Sequence, residues 1–69
     1  MIKSMNVYKN KLGEMFLAIG LINKLVYCLT DKGEFNMCDK EDITELELIG
    51  NMHKTPELVK HFTKTTNKQ

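Results

Sequence analysis

Hydrophobic and polar positions change rhythm several times along the chain. The run MFLAIGLI (15–22) is apolar on both faces. It is short for a helix and ends at Asn23-Lys24, a two-residue turn signal. A buried central strand is therefore predicted, with Gly20 permitting a bend or a close backbone approach. LVYCLT (25–30) is rich in strand formers. In Asp31-Lys32-Gly33, Asp starts a type I turn and Gly33 takes the positive φ of a following bulge. EFNMC (34–38) alternates, which sets Phe35 and Met37 on one face, with Phe35 a core candidate, and Glu34, Asn36 and Cys38 on the other. DKED (39–42) reads as a tight connector or one helical turn. ITELELI (43–49) alternates again, Leu46 and Leu48 against Glu45 and Glu47, and Gly50-Asn51 stops it. Upstream, Met1–Tyr8 alternates loosely as a first strand, and KNKLGE (9–14) is a loop.

The C-terminal stretch differs in kind. Thr55-Pro56-Glu57 predicts a helix start: a hydroxyl N-cap, proline at the first helical position and an acid at the positive end of the dipole. Leu58, Val59 and Phe62 are expected on one face of a helix over about 56–62, and TKTTNKQ is expected to fray. A helix this short does not persist alone in water, so those three residues must bury. They cap the open end of this chain's own β-barrel, dock on a second copy, or wait for a partner.

The order strand, loop, long bent strand, turn, strand, Asp-x-Gly hairpin, strand, helical turn, strand is carried most clearly by LTDKGEFNMCDKEDITELELI. It resembles the five-stranded small barrels of the Src-homology-3-like, Tudor and KOW type, over roughly residues 5–49. The resemblance implies a mainly β fold: a small five-stranded SH3-like barrel over 1–50, then a linker, short helix and tail over 51–69. Aromatic cages and proline grooves in that superfamily need several aromatics on one rim. This chain has Tyr8, Phe16, Tyr27, Phe35 and Phe62 and no tryptophan, which argues against peptide or methyl-lysine recognition of that kind. Small size, lysine richness and lack of motifs are similar to small accessory proteins of bacteriophages, which implies a host protein as partner.

Length changes what function to expect. Sixty-nine residues permit one small core, and few residues remain to wall a catalytic cleft. Net charge is +1, but it is unevenly spread: Asp31–Glu47 carries seven acids and two lysines, while 1–30 and 48–69 each carry four lysines and one acid. Arginine is absent, which removes bidentate recognition of phosphate or guanine by arginine. The longest apolar run is far short of the ~20 residues of a membrane helix, and no cleavage site follows it. A cytoplasmic protein with no membrane partner is expected, with Cys28 and Cys38 reduced.

Candidate chemistry is sparse. Cys28, Cys38, His53 and His61 are spaced C-x9-C-x14-H-x7-H, unlike the closely paired ligands of zinc knuckles, so no metal and no cofactor are expected. No motif surrounds a thiol–imidazole pair, and an alternating Glu-x-Glu is an ordinary solvated strand face, so no enzymatic activity is expected. A three-residue turn at 31–33 sets Cys28 opposite Asn36 and makes Cys28 and Cys38 diagonal neighbours on the outer face, ~7–8 Å apart. That exceeds comfortable disulfide geometry, so both are expected free and both reactive. A two-residue turn would instead bury Cys28 beside Phe35 and Met37.

Two kinds of partner remain. Nucleic acid would be met by Lys3, Lys9, Lys11 and Lys24, if the first loop and the 23–24 turn converge, with Tyr8 or Phe16 stacking on a base. The acidic middle and absent arginine weigh against it. The expected function is therefore protein–protein interaction, with a host protein or a second copy. The candidate partner-binding residues are Asp39, Glu41, Asp42, Glu45 and Glu47, which attract a basic surface, together with Leu58, Val59 and Phe62.

Overall fold

The computed structural model describes residues 4–63. The strands are β1 (Asn6–Lys9), β2 (Met15–Ile22), β3 (Leu25–Thr30), β4 (Phe35–Asp39) and β5 (Glu47–Asn51). Helix α1 (Lys40–Thr44) links β4 to β5, and a 3₁₀ turn (Pro56–Val59) runs into α2 (Lys60–Thr63). The five strands form one antiparallel sheet in the order β4-β3-β2-β1-β5. The chain is thus mainly β with a short C-terminal helix, but the sheet does not close: β4 and β5 remain its two edges. Of the tail expected to fray, 63–69, Thr63 ends α2 and the rest lies outside the described residues; of the expected first strand, 1–8, Ser4 and Met5 form a turn and residues 1–3 lie outside the described residues.

Two bulges bend the sheet. One sits between Ala18 and Gly20 on β2, as the glycine in that apolar run predicts, and one lies opposite Val7/Tyr8 on β5. Asn23, in the two-residue turn between β2 and β3, takes φ +57°. In the next hairpin Gly33 takes φ +84°, and Thr30 N donates to Glu34 O at 2.8 Å. Thr30 therefore opposes Glu34 and Cys28 opposes Asn36, the three-residue-turn register.

The faces of this hairpin are the reverse of expectation. Val26 and Cys28 are fully buried with Tyr8, Ala18 and Ile43, and Cys38 packs against them, on the face that α1 covers. Phe35 and Met37 lie on the opposite face and are exposed. The cause is α1. Its Ile43 inserts against one side of the sheet and leaves room beneath for small residues, Ala18 and Cys28. That helical turn also overturns the expected strand over 43–49. Glu45 N and Leu46 N bond back to Asp42 O and Ile43 O, so pairing with β1 begins only at Glu47 and continues through Gly50 and Asn51. Leu46 is half-buried under α1's side and Leu48 is exposed.

The C-terminal segment covers part of the other face. Leu58 and Phe62 pack on Val7 and Leu17, with Met5, Met15, Ile19, Leu29, Ile49 and Met52 around them. The expected single helix is a 3₁₀ turn followed by one helical turn, and the Thr55 side chain makes no cap hydrogen bond. Val59 does not share the buried face of Leu58 and Phe62; it is exposed.

Candidate protein-interaction surface

Among the described residues, the α2 face of the sheet is covered over β1, the first half of β2 and Leu29. Over the rest of β3, β4 and the end of β2 no described residue covers it, and most of the side chains there are apolar. Ile22 is 55% exposed, Leu25 36%, Tyr27 40%, Phe35 63% and Met37 49%. Register puts them together: Ile22 opposes Leu25, Tyr27 opposes Met37, and Leu29 opposes Phe35. The Tyr27 and Phe35 rings stack across the strands with centroids 6.0 Å apart. At roughly 150–250 Å² for a large side chain, these fractions leave on the order of 400 Å² of apolar surface in water. That lies within the range of the largest patch on a typical monomer, a size that is often functional.

The patch runs out to the β4 edge. Thr30 N donates to Glu34 O and Lys40 N donates to Lys24 O, at 2.8 and 2.9 Å. The β3–β4 register is unbroken between them. In an antiparallel ladder hydrogen-bonded residues alternate, so Asn36 and Cys38 bond inward to β3. The N–H and C=O of Phe35 and Met37, and the N–H of Asp39, face away from it. No described strand pairs with that side. No proline or lysine lies within β4, so two of the usual protections of an edge are missing. The β5 edge differs: Thr55 N bonds Asn51 O, and Leu58 lies against Gly50.

The predicted acidic residues are all exposed but form two groups beside α1. Asp42, Glu45 and Glu47 line a groove with Lys9 at the end of β1 and Asn10, Lys11 and Leu12 of the first loop. Asp39 and Glu41 line another with Lys24, Lys40 and Thr44. Lys9 and Lys11 therefore face carboxylates, and Lys24 lines a different concavity; Lys3 is outside the described residues. Of the C-terminal candidates, Phe62 and Leu58 are committed to this chain's own core and Val59 is free at its surface.

Cys28 and Cys38 are both free thiols, the first buried and the second half-buried. Burial, then the neighbouring Cys38 thiol, push the Cys28 thiol up to about 12. His53 is exposed and His61 half-buried. Among the described residues no three His, Cys, Asp or Glu side chains cluster to hold a metal ion, and no helix is long and apolar enough to cross a membrane.

The sequence does hold a signal for the open patch. MFLAIGLI and LVYC are apolar on both faces, and one short C-terminal segment is too small to cover one of those faces completely. No protein-family model, curated protein or solved structure matches the chain.

Proposed function

We propose that this chain is a non-enzymatic protein-binding module of small-barrel type, whose partner, a host protein or another copy, docks on the open half of the α2 face. One observation carries the proposal: Ile22, Leu25, Tyr27, Phe35 and Met37 form a contiguous exposed apolar band ending at an unpaired strand edge. Buried aromatic anchors dominate the energetics of protein interfaces, and Tyr27 and Phe35 have that character. The strand order β4-β3-β2-β1-β5 with a helical turn before β5 supports the small-barrel kinship. The acidic residues beside α1 add a longer-range attraction for a basic partner.

Photo-cross-linking tests this. A photoreactive residue at Met37 is expected to give protein adducts in cells, lost when Tyr27 and Phe35 are replaced by serine. The same residue at Lys11, in the first-loop groove, is expected to give few. Adducts with nucleic acid from Lys11, weakening steeply with salt, would favour a nucleic-acid adaptor instead. Absence of protein adducts from Met37 would refute the proposal.

A further inference from the structure

The β4 edge is self-complementary, and we infer that it pairs antiparallel with β4 of a second copy about a two-fold axis through Met37. This rests on the protein-binding reading above and names the partner.

The segment 34–39 stays in ladder geometry, with Glu34 O accepting from Thr30 N, and Lys40, the first residue of α1, still donates its N–H to Lys24 O just ahead of β3. Centring a second copy on Met37 brings outward-facing residues together, Met37 against Met37 and Phe35 against Asp39, with Asn36 against Cys38 between them. At the two ends Glu34 meets Lys40. Both are exposed, and among the described residues the one ion pair is Lys32–Glu14, so both charges are available. Sliding the register by one allowed step removes this match. In one direction Glu34 comes opposite Cys38, and in the other it comes opposite Asp42, beyond the strand, so neither step pairs opposite charges.

Cross-strand neighbours share a face. The odd-numbered residues therefore set the two apolar bands side by side, Met37 on Met37, with Asp39 of each copy beside Phe35 of the other. The area is modest. Edge pairing leaves the apolar faces side by side in water, so the contact is a short ladder with the side chains along it, below the size of standard specific interfaces. The dimer is accordingly weak, forming at roughly micromolar concentrations or above.

Two measurements on the full chain test this together. Sedimentation across concentrations is expected to show a monomer–dimer equilibrium. Amide hydrogen exchange in the concentrated sample is expected to slow at Phe35 and Met37 relative to the dilute one, while Asn36 and Cys38 are protected in both. Glu34→Lys and Lys40→Glu should each weaken dimerisation, by roughly three- to tenfold for two altered pairs per dimer; the double swap should restore it. A dimer without new protection at Phe35 and Met37, or a swap that does not rescue, overturns the inference. So does a monomer at every concentration. In that last case, adducts from Met37 with other proteins would still sustain the protein-binding reading, and their absence would remove both.

Discussion

Gly50 and Leu58 meet closely: a Cβ built on Gly50 lies 2.9 Å from Leu58 Cδ1, so the end of the Leu58 side chain must shift to admit one. The glycine that looks in sequence like a strand stop is a paired residue of β5 that lets the C-terminal segment sit down on the sheet. Gly50→Val is expected to destabilise by about 1–3 kcal/mol through overpacking. The cost should shrink when Leu58→Ala makes room, a coupling that a double-mutant cycle in urea measures. Additive effects would show that the contact does not hold the segment in place.

Truncation after Asn51 removes Leu58 and Phe62 from Val7 and Leu17. Burial of such side chains is worth about 1.5–3 kcal/mol each, and a core this small supplies only about 3–5 kcal/mol in all. The truncated chain is expected to lose most of its thermal transition, independently of concentration. Phe62→Ala should cost about 3 kcal/mol. A truncated chain as stable as the full one would mean that the segment serves a partner rather than the sheet.

The hairpin turn rests on Thr30 and Gly33. Thr30 Oγ1 accepts from Lys32 N and Glu34 N, each at 3.2 Å, and Gly33 holds φ +84°. Gly33→Ala is expected to cost about 1 kcal/mol or somewhat more, since an L side chain is strained there. Thr30→Val, close in shape, removes the acceptor from two N–H groups that water still reaches, so about 1 kcal/mol is expected. Urea midpoints for both variants check these values.

Turn chemistry was legible in the residues; the choice of face was not. Asp31-Lys32-Gly33 set the register that places Cys28 opposite Asn36. Alternation then offered two sides: Val26, Cys28 and Thr30, or Leu25, Tyr27 and Leu29. Both are apolar enough to be core. What decides is the cover on each side, and that comes from elsewhere in the chain. Ile43 reaches the first side because DKED continues into a helical turn through Thr44. In sequence, ITELELI alternates well enough to hide that turn. The acidic residues were legible as exposed, but not their division into two groups, which follows from α1's placement between the two edges. The open apolar band was missed for the same reason: its members are the residues that a strand pattern assigns to a core.

Reversal of the hairpin faces alters thiol reactivity. Cys28 is fully buried and Cys38 half-buried. A thiol reagent is expected to label Cys38 rapidly and Cys28 only as fast as the chain opens, so mass spectrometry should show one fast adduct and a second that appears with denaturant. Equal fast labelling of both would contradict the burial of Cys28 beneath Ile43.

The same burial predicts an alkaline instability with a definite sign. Burial, and after it the Cys38 thiol, raise Cys28 from 9.0 to about 12, so the folded chain keeps a proton that the unfolded chain releases. Stability changes with pH as the protons bound in the unfolded state minus those bound in the folded state. Between the two values the folded state binds more, and the slope is negative. The contribution is complete below pH 9.0, falls as pH rises, and is gone above about 12. Other groups titrate in the same window, so the measurable quantity is a difference in slope. Cys28→Ala lowers stability at neutral pH by leaving space under Ile43, but it removes the titrating thiol. Urea midpoints from pH 8 to about 11 should therefore fall more steeply in the native chain than in Cys28→Ala, the two curves converging as pH rises. Parallel curves would mean that the Cys28 thiol ionises as readily in the folded chain as in the unfolded one.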